Sequence, residues 1–309
     1  VNGMDGVNLT QGSAQVYQDR WNMGMGGSVT VNNNSDITTT GNYAHGIFVQ
    51  VASGTGGVIG RTNTTNDATA TGTVFRSGMG ETMYCGGKTA CGGAAAVNLQ
   101  AGTITVSGLH SWGVAMESEN VSFLQEENGP KVDQSSAELN VSADAVVIAK
   151  GQADGAVLLN ASGTNTVTNA GVIEATGSDA YAISSVGKSF KVINQSGATL
   201  LGNIGSKCSG DCGNIASTRS AVENRGTIDT GDVLDLGGGE LSNTGVVSIH
   251  GNGAGTTTLT GNYSGAGELV FDADYAHTKA DNLVVNGTAE VASVAVRPTT
   301  MRKQTVPIL

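Results

Sequence analysis

Short runs of alternating apolar and polar residues recur along this chain, and most of them end at a glycine. The clearest run, VTNAGVIEATGSDAYAI at 167–183, reads as strand, turn, strand, turn, strand. Alternation with a period of two residues is typical of β-strands that bury one face. The acidic stretch 116–127 contains helix-forming residues, but its apolar positions do not follow a helical period. The pattern therefore predicts an all-β chain of short strands and tight turns.

The opening of this run returns along the chain at intervals that are typical of a solenoid, whose repeats span roughly 20–50 residues. Looser copies occur upstream, at 31–41, 97–108 and 139–151. One repeat cannot bury its own apolar face, so Val, Ile and Leu must stack on their equivalents in neighbouring coils. We therefore predict a right-handed, single-stranded parallel β-helix. The recurring glycines are Gly171, Gly197, Gly226 and Gly245, and the asparagines that precede them are Asn169, Asn194, Asn224 and Asn243.

The recurring asparagine allows two interpretations. Its side-chain amide could bond the equivalent amide in the next coil and so form an internal ladder, as stacked amides do in cross-β arrays. Alternatively, asparagine is present because it tolerates the left-handed backbone conformation of a turn. The sequence does not decide between these interpretations, and neither gives the asparagines a role in binding or catalysis.

Three stretches interrupt the repeat, near 52–96, 117–136 and 203–217, and we predict that they are loops extruded from the solenoid. We place the β-helix at 1–255 and a β-rich C-terminal cap at 256–309. Extruded loops are not needed for stacking, so they are where binding usually resides in such folds. The alternative for any one of them is a solvated loop that binds nothing.

The second interruption is acidic, and its carboxylates would favour a basic partner or a bound Ca²⁺ ion over an anionic glycan. The net charge of the chain is −11, which would repel phosphate backbones, so we predict no nucleic-acid partner. The candidate partner-binding residues are Glu117, Glu119, Glu126, Glu127 and Asp133.

No window of the sequence approaches the roughly 18 apolar residues of a membrane span. The first residues show no signal-peptide pattern, so we expect the chain to be a trimmed fragment.

The four cysteines form two local pairs, Cys85 with Cys91 and Cys208 with Cys212. An even number of closely paired cysteines favours two small disulfide loops in an oxidising compartment. Zinc is an alternative, but neither pair has the spacing of a zinc knuckle and no histidine flanks them. Free thiols at loop tips are a second alternative. We predict the disulfides and neither a metal nor a cofactor.

We predict that the chain is not an enzyme. The sequence contains no Gly-x-Ser-x-Gly phrase, and its four histidines are scattered. A glycan lyase or hydrolase is the alternative, because Asp272 and Asp274 alternate correctly to share one face of a strand. A polysaccharide-binding groove would be lined with aromatic residues. Here Trp112 and the tyrosines are dispersed along the sequence, which argues against such a groove.

The phrase ITTTGNYAHGI at 37–47 resembles the coil motif of bacterial autotransporter passenger domains of the pertactin-like kind, and variants of it occur at 108–114, 151–157 and 177–183. The segments 259–269 and 280–287 resemble the capped end of such passengers. The resemblance implies a virulence factor, commonly an adhesin, that is secreted or displayed on the bacterial surface and binds a protein or glycan of a host or neighbouring cell.

The resemblance also implies contact with the outer membrane only through a C-terminal translocator barrel, which we expect to be absent from this chain. Self-association is a further possibility for such a passenger. Two alternatives to the adhesin remain open at this point. One is a structural stalk that spaces a more distal domain from the membrane, and the other is a β-helix that binds or cleaves polysaccharides.

Overall fold

A computed structural model describes residues 28–52, 90–91, 93–119, 132–133, 135–161, 163–177, 179–206, 218–250, 254–274 and 277–300. These residues form β-strands and turns and contain no helix, so none of them belongs to a helix that could cross a membrane. The strands are β1 (Val29–Asn33), β2 (Ile37–Thr39), β3 (Ile47–Ala52), β4 (Ala90–Cys91), β5 (Ala94–Leu99), β6 (Gly102–Val106), β7 (Trp112–Glu119), β8 (Val132–Asp133), β9 (Ser136–Val141), β10 (Ala145–Ala149), β11 (Gly155–Ala161), β12 (Thr164–Asn169), β13 (Val172–Ala175), β14 (Tyr181–Ser185), β15 (Lys191–Asn194), β16 (Thr199–Ser206), β17 (Ala221–Asn224), β18 (Thr227–Asn243), β19 (Val246–Ser248), β20 (Thr256–Ser264), β21 (Glu268–Asp274), β22 (Lys279–Ala280), β23 (Asn282–Val285) and β24 (Ser293–Thr300).

The strands pair in parallel with strands one coil further along the chain, which is the arrangement of a β-solenoid. Three series of pairings run through the described residues and define three faces. Face 1 runs from β1 through β5, β9, β12, β15 and β17 to the ends of β18 and β20. Face 2 runs through β2, β6, β10, β13, the starts of β16 and β18, then β19, β21 and β24. Face 3 runs through β3, β7, β11, β14, the end of β16, the middle of β18, the start of β20 and β23.

The hydrophobic core lies between the three faces and is built from columns of stacked side chains. Residues that pair across neighbouring strands of a parallel sheet lie about 4.8 Å apart, so each inward side chain contacts its equivalents in two coils. This stacking confirms the packing that the alternating pattern predicts. The inward column of face 2 comprises Ile37, Ile104, Val147, Ile173, Leu200, Ile228, Val247 and Leu269.

The recurring asparagines form a buried ladder inside the solenoid. The side-chain Nδ2 of Asn169 donates to Oδ1 of Asn194 at 2.9 Å, and Asn194 donates in the same way to Asn224 at 2.8 Å. Asn224 then donates to Asn243 at 2.8 Å, and Asn243 ends the ladder on the hydroxyl of Tyr263 at 2.9 Å. Positive φ angles occur at four described residues other than glycine, and none of them is an asparagine. The ladder interpretation is therefore confirmed, and the left-handed interpretation is wrong.

Each buried amide also fixes the backbone of its own turn and of the next coil. Oδ1 of Asn224 accepts the main-chain N–H of Gly226 at 3.2 Å, and Nδ2 of Asn224 also donates to the carbonyl of Val246 at 3.0 Å. Asn194 bonds the carbonyl of Thr227 in the same way. Because the ladder partners are separated by 25, 30 and 19 residues, the amides restore the same register although the coils differ in length.

A second amide ladder lies on the outer surface of face 1. Asn98 donates from Nδ2 to Oδ1 of Asn32 at 2.9 Å, and Asn140 donates to Oδ1 of Asn98 at 3.0 Å. These side chains are exposed or half-buried, whereas the inner asparagines are fully buried. The chain thus contains the same amide-to-amide hydrogen bond in two environments that differ in their access to water.

Candidate functional site

All three interruptions of the repeat leave the solenoid at one edge. The described chain stops after β3 at Ala52, after β7 at Glu119 and after β16 at Ser206. Each of these strand ends belongs to face 3, and each time the chain next joins face 1, through β5, β9 and β17. We call this corner between face 3 and face 1 the loop edge. Interruptions spread at random would also fall at the other two corners, so the shared edge is a specific feature of the fold.

Two short strands bring the first two interruptions together beside the solenoid. β4 pairs in parallel with β8, so that Ala90 lies opposite Val132 and Cys91 lies opposite Asp133. This two-stranded sheet is separate from the main sheet. The chain that returns from the cysteine-containing interruption therefore lies directly beside the chain that returns from the acidic one.

The predicted boundaries of the acidic interruption are too wide, because strand pairing continues further than the sequence suggested. Glu117 lies inside β7, where it pairs with Gln50 and Asn160 in the neighbouring coils. Its Oε2 accepts a hydrogen bond from Nε2 of Gln50 at 3.0 Å. The alternation of inward Val114, Met116 and Ser118 carries the strand past Glu117 to its end at Glu119.

The structure describes some of the other predicted site residues and not the rest. Glu119 lies opposite Ala52 at the end of β7, and Asp133 lies in β8. Glu126 and Glu127 are outside the described residues. Cys91 lies in β4, whereas Cys85, Cys208 and Cys212 are outside the described residues, so both disulfides stay predictions.

A shallow depression of about 460 Å³ lies on the loop edge, and it begins after the second interruption and extends past the third. Its walls come from the first residues of face 1 in successive coils, so it follows the axis of the solenoid. Lys191 in its wall pairs with Glu223 at 2.6 Å, and Asn165 is buried beneath it. Nδ2 of Asn165 donates hydrogen bonds to the carbonyls of Ala161 and Ser189. These two hydrogen bonds connect two turns of the loop edge. The segments that line the depression are 163–166, 189–191, 219–221 and 239–240.

Two ring pairs lie at the start of face 3, and each joins one histidine to a tyrosine or a phenylalanine. The rings of Tyr43 and His110 lie 4.9 Å apart between their centroids, and those of His45 and Phe48 lie 5.6 Å apart. The main-chain N–H of Trp112 donates to Nδ1 of His45 at 3.0 Å and joins the two pairs. We call these five residues the aromatic patch.

The repeated motif contains the signal for this patch. Ile47 pairs with Val114, so the phrase AHGI at 44–47 aligns with SWGV at 111–114 and places His45 over Trp112. The ring of Trp112 is 0% exposed and needs Gly155 in the next coil, because a Cβ there would lie 2.4 Å from a ring carbon. The glycine that the motif copies share is therefore the local sequence signal for this alignment, and the pairing of these two copies across the first interruption is supplied by the structure.

The pH dependence of thermal stability tests whether His45 is held neutral in the folded aromatic patch. Burial lowers the pKa of His45 from its usual 6.5, and the carboxylates of Glu117 and Asp154 act in the opposite direction. Neutral His45 therefore stabilises the fold above about pH 6.5, and this contribution is lost as the pH falls through the lowered pKa of the folded state. We expect the Tm of the intact chain to fall more steeply below about pH 6.5 than that of His45→Asn, which does not titrate there.

Thermal unfolding of both proteins across this pH range measures the difference. His277→Asn is the matched control, because the ring of His277 is exposed and bonds Asp274 at 2.6 Å, far along the chain from the patch. This control should retain the steep fall of the intact chain. An identical pH dependence in the intact chain and in His45→Asn would contradict the assigned role of neutral His45.

The aspartates considered for catalysis, Asp272 and Asp274, have different partners in the described part of the chain. Asp272 is 3% exposed, and its main-chain N–H bonds the carboxylate of Asp281, while the carboxylate of Asp274 pairs with His277. His250 pairs with Asp232 at 2.8 Å, in a different coil. No group of three or more His, Cys, Asp or Glu side chains within the described residues is placed to hold a metal ion.

Comparisons with protein-family models, with curated proteins and with solved structures find no match to this chain.

Proposed function

We propose that this chain is the passenger of a bacterial autotransporter, secreted or displayed on the cell surface, and that it acts as an adhesin. The observation that carries the proposal is the single loop edge, at which all three interruptions of the repeat leave face 3 and return to face 1. In a solenoid the core positions are constrained by packing, so sequence variation is tolerated mainly in the loops that leave it. Those loops commonly contain the binding residues. Loops grouped along one edge can contact one partner together.

The scaffold is suited to presenting such loops. Inner columns of Val, Ile and Leu and the buried amide ladder fix each coil to its neighbours, so the roots of the loops are held in place. β4 and β8 then add a pairing that joins the returning chains of the first two interruptions. Rigid roots reduce the conformational entropy that is lost when loops bind, which favours affinity.

We also propose that the solenoid is right-handed and that a cap closes it within 256–309. Parallel strands joined within one sheet are right-handed in about 98% of known connections, which supports the handedness. The cap is supported by the change of structure at the C-terminal end, where β21 forms an antiparallel pair with β22.

Deleting residues 120–131 and joining the ends with a short Gly-Ser linker tests the proposed function. The deletion spares β7 and β8, so we expect the Tm and the far-ultraviolet circular dichroism to stay nearly unchanged. Binding of the purified protein to host or neighbouring bacterial cells should fall, because the proposal assigns contacts with the partner to this loop. Flow cytometry with labelled protein measures the binding.

Deleting residues 207–217 is the companion variant, since this segment has nearly the same length and leaves from the same edge, so its deletion tests whether the loops bind together. A double variant Glu126→Gln and Glu127→Gln tests whether the partner is basic, because it removes charge and keeps loop length. Cell binding that survives both the 120–131 deletion and the 207–217 deletion would contradict a role of the loop edge. A complete lack of cell binding by the intact chain would favour a structural stalk over an adhesin.

A further inference from the structure

We propose that the aromatic patch, with the carboxylate of Glu117, binds the cationic side chains of an arginine- or lysine-rich peptide segment. The rings of this site lie where β3 and β7 begin, whereas the loops leave where these strands end. Glu117 extends the site towards the loop edge, two residues before the end of β7, and no residue of the loops belongs to the site. The proposal rests on ring exposure, backbone conformation and charge, which are independent of one another.

Both ring pairs of the patch present an aromatic face to solvent. Tyr43 is 68% exposed and Phe48 is 50% exposed, although each has one neighbouring histidine ring. Exposed large apolar side chains are ordinary when they occur singly, but a group of them usually marks an interaction site. An open aromatic face attracts an ammonium or guanidinium group through the negative charge of its π system.

The backbone of the patch is held in an unfavourable conformation. Tyr43 has a φ of 57° and His110 a φ of 55°, both in the left-handed region that glycine or asparagine would occupy at less cost. The main-chain N–H of Tyr43 bonds the carbonyl of Leu109 at 2.8 Å, so the two turns lie against each other. Strained residues of this kind cluster at ligand sites, and here the strain presents two aromatic rings that core packing does not need.

Carboxylates lie beside both ring pairs. Asp154 lies 3.4 Å from Nδ1 of His110, and its side chain is largely buried. Glu117 uses Oε2 to accept the bond from Gln50, and no described residue bonds its Oε1. Glu117 lies opposite Gln50, which follows Phe48 by two residues and therefore lies on the same face of β3. Rings and carboxylates together are the groups that hold a guanidinium ion.

The surrounding charge also favours a cation over a neutral or anionic ligand. From Ser28 to Gly187, the described residues include nine Asp or Glu and a single Lys or Arg, Lys150, in the turn that leads to Asp154. This part of the molecule therefore produces a negative potential that draws basic segments towards it. A purely apolar ligand would gain nothing from the carboxylates, and an anionic glycan would be repelled by them.

The probe is a labelled, acetylated and amidated hexapeptide of alternating arginine and serine, titrated into the full chain by fluorescence anisotropy. The same peptide with citrulline in place of arginine is the uncharged control. We expect the arginine peptide to bind, the citrulline peptide to bind at least tenfold more weakly, and the affinity to fall at high salt. The deletion of 120–131 should bind the arginine peptide as the intact chain does, which separates this site from the proposed loop function.

Variants locate the site. Tyr43→Asn removes a ring and places asparagine where a positive φ suits it, and Phe48→Thr keeps a residue that favours strands. We expect each to weaken binding roughly two- to fivefold without loss of Tm, and the double variant to weaken it about tenfold. Glu117→Gln should also weaken binding, whereas the matched control Asp144→Asn removes an equal charge from an exposed turn and should not.

Equal losses in Glu117→Gln and Asp144→Asn would show that only overall charge attracts the peptide and would overturn the proposal. Equal binding of the citrulline peptide, or unchanged binding by the double ring variant, would overturn it as well. If cellohexaose binds the intact chain and is lost in the ring variants while the arginine peptide does not bind, the patch is a glycan site instead.

Discussion

Replacing Asn194 by alanine is expected to lower the free energy of unfolding by about 3–5 kcal/mol, because at least two buried groups each lose a partner at a cost of about 1–3 kcal/mol. Asn194 accepts from Asn169 and donates both to Asn224 and to the carbonyl of Thr227. Alanine leaves the amide proton of Asn169 and the carbonyl of Thr227 without these partners in a dry interior. Chemical denaturation followed by circular dichroism measures the loss.

The outer ladder supplies the matched control. Asn98→Ala breaks the same kind of amide bond, to Asn32 and from Asn140, but water can replace the lost partners. We therefore expect a loss of about 1 kcal/mol or less. Similar losses in Asn98→Ala and Asn194→Ala would mean that burial of the inner ladder does not matter to stability, contrary to this structure.

Gly226→Ala is expected to destabilise the fold by about 3 kcal/mol or more, because its new methyl group has no space. The added Cβ would lie 2.4 Å from the carbonyl oxygens of both Gln195 and Ala198 and 3.0 Å from Nδ2 of Asn194. The carbonyl of Ala198 already accepts the N–H of Thr227 at 2.9 Å, so it cannot turn away without loss of that bond. Thermal and chemical unfolding report the effect.

Gly197→Ala is the control for this substitution. Gly197 has a φ of +84°, but a Cβ there would meet no atom within 4 Å. The cost is then backbone strain alone, about 1–2 kcal/mol. A larger loss for Gly197→Ala than for Gly226→Ala would contradict the steric account and would show that backbone conformation dominates at these glycines.

The repeat, the strand-rich fold and the positions of the recurring asparagines could be predicted from the sequence because their signals are local, whereas the choice of the ladder over a left-handed turn needed the structure. The asparagine and glycine of each phrase lie two or three residues apart, and apolar alternation needs no more than one strand. Parallel stacking then follows, since an isolated coil has nothing else against which to bury its apolar side chains.

The composition of the candidate sites could not be predicted in the same way, because it depends on register between distant segments. Tyr43 and His110 meet, as do His45 and Trp112, across partners that are 67 residues apart, including the first interruption. The position of Glu117 inside β7 likewise follows from pairing with β3 and β11, which strand propensity alone does not reveal. The corner at which each interruption lies depends on which faces the strands before and after it belong to. These faces are defined by strand pairing, as for Glu117.

The inner ladder has a consequence for how this protein could change its length during evolution. Each asparagine side chain of this ladder donates to residues of the next coil only. The same amide-to-amide hydrogen bond forms whether the two partners are 19, 25 or 30 residues apart. Duplication or loss of one whole coil between two such asparagines would rejoin identical hydrogen-bonding partners, so recombination within the gene could lengthen or shorten the solenoid in steps of about 4.8 Å. A change of a few residues inside a coil would instead be absorbed at a corner, without displacing the side chains that neighbouring coils share.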